Sequence, residues 1–283
     1  MNEVTFIFTV GGHEGHYQNM TRCIETIEQN YPDAKFLILE FGDSLDIKND
    51  RFTIVKFKNL IDFSSGKKVG YLIWKHKYLG ALMINTKYGV YVDTDTVLAN
   101  DTIPLILQNL DGGIGVSLHF WTPTISHYEA FATTRETYFE FLNLKNKLQL
   151  QDDTHFFAGG VFLFEKNSRT IDVFCEILKM YYDYYGNDKE YVKSITDELF
   201  LAAVLNKNKD LVRYCNGALN HCSMGDEFMP MIEENNFLFG RNPFDSDFAP
   251  ITFLHCDTNR RDPSEMYSGT IKQIIRKKFK LDE

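Results

Sequence analysis

A buried strand followed by an amphipathic helix, several times over, constrains this chain more than any other feature. Val4–Val10 is a short run of β-branched and aromatic residues closed by Gly11-Gly12. Met20, Cys23, Ile24 and Ile27 then recur at helical spacing until Tyr31-Pro32-Asp33 stops the helix. Lys35–Phe41 and Phe52–Phe57 read as strands. Val69–Ile84 reads as a helix with Leu72, Ile73, Leu79, Leu82 and Met83 on one side, and Gly89–Val92 as a short strand. Strands apolar on both faces, alternating with helices, fit an α/β sheet with parallel pairs, and such sheets bind ligands beyond the strands' carboxyl ends. The second half is more mixed. Gly113–Leu118 and Phe156–Phe164 read as strands, the latter interrupted by Gly159-Gly160; 168–185 and 196–207 read as helices; Ile251–Leu254 is a last strand ending at His255. No repeat or Gly/Ser linker divides the chain, which predicts one domain with two lobes.

Composition excludes several alternatives. With 283 residues, 44% apolar and 24% charged, the chain can bury a core without disulfides, and disorder, collagen and coiled coil do not fit. No run of 18 apolar residues is present to span a membrane. The start, Met1 to Phe6, lacks the basic and apolar regions of a secretory leader. Cys23, Cys175, Cys215, Cys222 and Cys256 are odd in number with no Cys-x-x-Cys pair, which disfavours a disulfide framework or zinc knuckle and points to the reducing cytoplasm. The net charge of −9 argues against nucleic-acid binding. It is uneven: 271–281 carries Lys272, Arg276, Lys277, Lys278 and Lys280 with no acid, leaving −14 on the remainder.

Two Asp-x-Asp triplets occur. Asp245-Ser246-Asp247 lies between Pro243 and Pro250 with no strand leading into it, and reads as a solvated loop. Asp93-Thr94-Asp95 differs, because Val90-Tyr91-Val92 delivers it to the end of a buried strand. Two carboxylates there repel each other and lose hydration unless a cation or hydrogen-bond donors compensate. A hard divalent ion, Mn²⁺ or Mg²⁺, is the natural partner and brings a diphosphate with it.

Lys87-Tyr88-Gly89-Val90-Tyr91-Val92-Asp93-Thr94-Asp95 resembles the Asp-x-Asp segment of GT-A glycosyltransferases, especially families 8 and 32. Three later pieces follow in the family-8 order. Phe157-Ala158-Gly159-Gly160-Val161-Phe162-Leu163 is similar to that family's Asn-Ala-Gly-Val strand, Thr196-Asp197-Glu198-Leu199 to its Asp-Gln turn, and Phe253 to Arg261 to its His-Phe-x-Gly-x-x-Lys-Pro-Trp ending. Ala158 replaces Asn, Thr258 replaces Gly, and Glu198 replaces Gln. In Glu198, and in Ala158-Gly159-Gly160-Val161-Phe162, the chain is closer to family 6.

The resemblance implies a GT-A mixed sheet flanked by helices, with 1–270 as one catalytic domain: a nucleotide-binding half, 1–100, and an acceptor-side half, 101–270. It implies a retaining, metal-dependent hexosyltransferase that uses a UDP-sugar, UDP-Glc or UDP-Gal, and a glycan or lipid-linked glycan acceptor, as in cell-surface polysaccharide synthesis. Asp93, Asp95 and His255 would hold Mn²⁺ (or Mg²⁺). Arg261 and Thr94 would face the donor diphosphate. Thr9, Val10, Gly11 and Gly12 would approach the nucleotide, with Tyr17 stacked on the base. Lys77, or Lys75 beside it, would reach donor sugar or phosphate. Glu198, with Asp197, would stand at the anomeric carbon as nucleophile or stabiliser; capping of the following helix is the alternative role for the pair. His119, Trp121 and Tyr128 are candidates for the acceptor pocket, and Asp257 for an accessory group.

Two other readings of the Asp pair stand beside this one. One is a haloacid-dehalogenase-type phosphatase with Asp93 as nucleophile and Asp95 as acid/base, and the other is a non-catalytic sugar-nucleotide-binding protein. The basic tail, 271–283, has Ile271, Ile274, Ile275 and Phe279 at helical spacing. It fits either an amphipathic helix in peripheral contact with anionic lipid at the cytoplasmic face, or a last helix packed on the core.

Overall fold

The computed structural model describes residues 3–11, 14–42, 45–57, 70–119, 122–130, 135–185, 197–225, 227, 229–255 and 262–281. In chain order the elements are β1 (Val4–Gly11), α1 (Glu14–Asn30), β2 (Lys35–Phe41), β3 (Phe52–Lys56), α2 (Gly70–Met83), β4 (Tyr88–Val92), β5 (Thr96–Leu98), α3 (Ile103–Gln108), β6 (Ile114–Val116), α4 (Ile125–Ala130) and α5 (Arg135–Leu148). There follow β7 (Val161–Glu165), α6 (Ser168–Tyr185), α7 (Glu198–Lys207), β8 (Val212–Tyr214), β9 (Asn220–Cys222), β10 (Met231–Glu234), β11 (Phe237–Gly240), β12 (Ala249–Pro250), β13 (Phe253–His255) and α8 (Gly269–Lys278).

The main sheet has seven strands in the order β3-β2-β1-β4-β7-β6-β8. β1 pairs in parallel with both β2 and β4, while β7 runs antiparallel to β4 and β6. Every residue of β1 is buried, as an interior strand covered on both faces requires. One face carries Val4, Phe6, Phe8, Val10, Val90 and Val92 against α1 and α3. The other carries Ile7, Tyr91, Phe162 and Phe164 against helices that include α2, α6 and α7. Because β2 and β4 flank β1 on opposite sides, the order of connection reverses between β1 and β4. The crevice at their carboxyl ends is the switch point where such sheets bind ligands.

Two smaller sheets complete the body, β10-β11-β12 and β5-β13-β9. In the latter, His255 lies opposite Thr96 of antiparallel β5 and opposite Cys222 of parallel β9. This small sheet brings the C-terminal part of the chain up to the Asp93-Thr94-Asp95 turn.

One expected strand is divided. Phe156–Phe164 begins only at Val161; the residues before it bend at Gly159-Gly160 and make one isolated bridge, Leu118 to Phe157. The bend brings the backbone close to the site residues, where no side chain fits. A β-carbon on Gly160 would stand 2.8 Å from Asn220 Nδ2 and 2.9 Å from Asp93 Oδ2. The basic tail forms α8, with Ile275 and Phe279 buried and Ile271, Ile274 and Leu281 packed on the same small core as Tyr267 and Leu254. Three of its cations have partners on the protein: Arg276 on Asp262 at 2.6 Å, Lys280 on Glu25 at 2.6 Å, and Lys278 on the Ala99 carbonyl at 2.7 Å. The apolar face that a lipid-inserted helix would need is therefore occupied by protein. Among the described residues no helix is long and apolar enough to cross a membrane.

Candidate active site

β4 carries Asp93 to the switch point, and β7 starts opposite it, so the Asp93 amide donates to the Gly160 carbonyl at 2.8 Å. Tyr91, two residues earlier, shares Asp93's side of the strand. Its hydroxyl donates to Asp93 Oδ1 at 2.7 Å and lies 2.9 Å from Thr9 Oγ1. The Thr96 hydroxyl donates to the Asp93 carbonyl at 3.0 Å, which closes the turn between the two acids. Burial pushes the Asp93 carboxyl up to about 6, against the pull of Lys77, and the neighbouring Asp95 adds to the rise.

Asp95 faces His255 across the small sheet, Oδ1 to Nε2 at 3.0 Å. Burial works to raise the Asp95 carboxyl, but the charge and hydrogen bond of His255 bring it below its usual range; His16, on the first turn of α1, adds to that pull. Burial likewise opposes charge on His255, yet Asp95, with Asp93 and Glu198 behind it, raises the imidazole to about 9. Nδ1 of His255 lies 3.2 Å from Asn220 Oδ1. Asn220 thus orients the ring so that Nε2 points at the acids. One ligand atom from each of Asp93, Asp95 and His255 fits within 4.8 Å of the others.

Beneath this group lies a buried pair. Lys77 Nζ stands 3.0 Å from Asp197 Oδ2 and donates to the Gly159 carbonyl at 3.1 Å, while the Tyr78 hydroxyl donates to Asp197 Oδ2 at 2.7 Å. Burial disfavours the ammonium, but Asp197, Asp93 and Glu198 together hold it charged, above the ordinary lysine range. Asp197 occupies the N-cap position of α7 without making a capping hydrogen bond, so its side chain serves the pair and not the helix. Glu198 Oε1 accepts from the Gly159 amide at 2.9 Å. Gly159 thus donates to Glu198 through its amide and accepts from Lys77 through its carbonyl.

The donor set fits a divalent ion. Two carboxylates and one imidazole converge, and among the described residues four carboxylates (Asp93, Asp95, Asp197, Glu198) stand against two cations: Lys77, which Asp197, Asp93 and Glu198 hold charged, and His255, paired with Asp95. The site keeps a surplus of negative charge that a hard or borderline cation such as Mn²⁺ or Mg²⁺ would balance.

The remaining expected residues divide. The Thr9 hydroxyl is engaged by Tyr91, whose own hydroxyl donates to Asp93. The Val10 side chain is buried in the core on the α1 side, leaving its backbone and Gly11 at the strand end. The Tyr17 hydroxyl donates to Glu40 Oε1 at 3.3 Å and leans over Gly42, on the β2 side of the crevice. Thr94 is half-buried between the two acids. Lys77, expected against the donor, lies under the floor of the site, 3% exposed. Gly12, Trp121, Asp257, Thr258 and Arg261 lie outside the described residues, as do the side chains of Lys75 and Tyr128. His119 lies beside the site, its amide donating to the Phe156 carbonyl at 2.8 Å and its Nδ1 2.7 Å from Thr122 Oγ1, and burial holds its ring below the usual imidazole range.

Sequence reasoning missed Tyr91, Tyr78, Asn220 and His16. Tyr91 had a signal, being two residues before Asp93 on the same strand. Asn220 had none, because β9 is three residues long and its partner lies 35 residues away. The second Asp triplet is also only partly as expected. Asp247 is exposed, whereas Asp245 is half-buried and its Oδ2 accepts from the Asn242 amide at 3.3 Å.

No family model matches the sequence, and no curated protein matches it. Solved structures do match. The galactosyltransferase LgtC, in complex with donor and acceptor sugar analogs, is similar at 15% identity and a TM-score of 0.57 over 98% of this chain and 95% of that one. The fold is GT-A. The bifunctional glycosyltransferase WbbM is similar at 12% identity and TM-score 0.53 over 98% of this chain and 49% of that one. The glycosyltransferase GlyE of Streptococcus pneumoniae TIGR4 is similar at 10% identity and TM-score 0.51, over 98% of this chain and 60% of that one. The GT-A fold overturns the phosphatase alternative, which needs its aspartate pair after the first strand; here the pair ends β4.

Proposed function

We propose that this chain is a retaining, divalent-metal-dependent glycosyltransferase that moves a hexose from UDP-glucose or UDP-galactose to a glycan or lipid-linked glycan acceptor. One observation carries the reading. Asp93, Asp95 and His255 converge at the switch point of a GT-A fold, with Glu198 held by the Gly159 amide across the same floor. That LgtC, a galactosyltransferase, was solved with donor and acceptor sugar analogs supports the substrate classes.

Asp93, Asp95 and His255 would hold Mn²⁺ or Mg²⁺, which supplies Lewis-acid neutralisation of the departing nucleoside diphosphate. The protein's own contribution is positioning. Thr9 and Tyr91 fix the Asp93 carboxylate, and Asn220 fixes the ring of His255. The Lys77–Asp197 pair keeps one negative charge of the cluster neutralised, so that Glu198 stays at the Gly159 amide. From there a carboxylate can stabilise positive charge at the anomeric carbon while the acceptor oxygen attacks on the face the diphosphate leaves, or it can displace the diphosphate to form a glycosyl ester that the acceptor oxygen then displaces. Either course preserves configuration in the product. Thr94, Gly11, Gly12 and Arg261 would line the path of the diphosphate and nucleotide, with Tyr17 beside the base.

The test is release of UDP from UDP-glucose and UDP-galactose with Mn²⁺, together with the anomeric configuration of the product by NMR. Release that requires Mn²⁺ and disappears in Asp93→Ala supports the reading. UDP bound with Mn²⁺ but never released from either donor, with any acceptor, supports the non-catalytic alternative. An inverted product removes Glu198 from its role.

A further inference from the structure

A pocket of about 320 Å³ opens beside the site: His119, in its wall, donates its amide to the Phe156 carbonyl at 2.8 Å, three residues before Gly159. That volume is at the small end for small-molecule sites and suits a single sugar ring. Its far wall is the turn from Asn242 to Asp245, seated on the bare backbone of Gly217. A β-carbon at Gly217 would collide with Asn242 Nδ2 and stand 2.8 Å from Asp245 Oδ2. The turn is closed twice, by the Asp245 amide on the Asn242 carbonyl at 3.0 Å and by the Asn242 amide on Asp245 Oδ2 at 3.3 Å. Phe244 forms the rim. Its ring is 52% exposed and is braced by the edge of His127 on α4, with centroids 5.7 Å apart.

The charge of this pocket narrows the ligand. Among the described residues Asp245 is the one acid in its lining, and no lysine or arginine lines it. Arg241, adjacent in sequence to Asn242, has its guanidinium 5.4 Å over the ring of Phe248. Burial raises the Asp245 carboxyl despite bonds from the backbone. A carboxylate in such a wall accepts hydrogen bonds from neutral hydroxyls or from an amine and repels phosphate and carboxylate. An exposed ring at the rim offers an apolar face to the C–H side of a pyranose.

We propose that this pocket receives the acceptor as an uncharged or amino-bearing sugar, with Asp245 accepting from its hydroxyls and Phe244 covering one face of its ring. The inference rests on the glycosyltransferase reading. It makes Asp245 and Phe244 determinants of acceptor specificity, and it excludes sugars phosphorylated or acidic at the bound residue.

The experiment uses the full chain with Mn²⁺ and UDP-glucose or UDP-galactose, and measures UDP release with added methyl glucoside, methyl galactoside, glucosamine, glucose 6-phosphate or glucuronate. Acceleration by one of the first three and by neither acidic sugar is expected. Asp245→Asn and Phe244→Ala should each raise the KM for that acceptor roughly tenfold or more, the scale of one lost charged hydrogen bond or ring contact, with a smaller change in kcat. Asp247→Asn, on the exposed side of the same triplet, should leave acceptor KM as it was. Phe244 is at the surface, so its variant tests the pocket even where Asp245→Asn melts early. Acceleration by the acidic sugars, no acceleration by any neutral one, or wild-type acceptor KM in both variants overturns the inference while donor turnover still upholds the glycosyltransferase reading. Absence of donor turnover under every condition overturns both.

Discussion

Gly160→Ala isolates the role of backbone proximity in the site. Gly160 is not in the left-handed region of φ, so alanine costs nothing in backbone conformation, and whatever the change does comes from the added methyl. That methyl would lie 2.8 Å from Asn220 Nδ2, 2.9 Å from Asp93 Oδ2 and 3.3 Å from His255 Cε1. Ordinary contact needs about half an ångström more at the first two atoms. Neither yields freely: Asp93 is tied by its amide to Gly160 and by its carboxylate to Tyr91, and Asn220 is 4% exposed. Overpacking of this kind costs about 1–3 kcal/mol. Here it falls on two of the proposed metal ligands and the residue that orients one of them, where such disturbances weaken metal affinity by roughly 10–100-fold. Titration of Mn²⁺ into the wild type and the variant by calorimetry, with melting curves taken in EDTA, separates ligand displacement from global destabilisation. The expected result is weaker Mn²⁺ binding with a melting temperature lowered by only a few degrees. Mn²⁺ affinity within about twofold of wild type would refute the argument that this glycine exists to make room for the ligands. Gly159→Ala is the comparison. Its methyl would meet Glu198 Cγ at 3.0 Å and Lys77 Nζ at 3.4 Å, both on longer side chains that can shift, so its effect should appear in turnover before metal affinity.

Three further outcomes follow from the same geometry. Lys77→Met leaves Asp197 buried without its cation and should cost about 3 kcal/mol or more of stability, read as a loss in urea midpoint that shrinks in acid as the carboxyl protonates; an unchanged midpoint would contradict the pairing. In metal-free protein, His255, raised to about 9, contributes stability that is whole below pH 6.5 and is lost as pH climbs through 9, while Asp93, raised to about 6, becomes costly once ionised. Metal must displace the His255 proton, so Mn²⁺ affinity should rise about tenfold per pH unit between pH 7 and 8, a slope that His255→Gln should flatten. Ile275→Ala, at a fully buried position of α8, should cost about 2–4 kcal/mol; a loss below about 0.5 kcal/mol would mean that the helix is not packed on the body in solution.

Much of the fold was legible because its strands are apolar on both faces. Lys35–Phe41 and the 168–185 helix coincide with β2 and α6, and β1, β3, α2 and β4 end within one residue of their expected limits. The Asp pair stood out because a buried strand led into it. What sequence did not reveal was direction. Lys77 has the composition of a ligand-reaching cation, yet it turns inward because Asp197 and the Gly159 carbonyl wait there, 120 and 82 residues away. The apparent strand Phe156–Phe164 is continuous in hydrophobicity but breaks at Gly159-Gly160, since its neighbours Glu198, Asp93 and Asn220 come from other parts of the chain. Asp245 and Asp247 look alike in sequence, and only the seat on Gly217 tells them apart. The basic tail is likewise less free than its charge suggested, with three of its five cations bonded to the body.

The small sheet β5-β13-β9 has a consequence of its own. Asp93 belongs to the end of the main sheet, whereas His255 and the Asn220 that orients it belong to β13 and β9. Each strand of the small sheet has only three residues, so its local opening should require far less free energy than global unfolding. An ion gripping both sheets at once would act as a clasp across that seam, raising the cost of opening in proportion to RT ln(1 + [Mn²⁺]/Kd). The amides of Leu254, His255 and Cys222 should then exchange with solvent more slowly when Mn²⁺ is added, while those deep in β1 remain as they were.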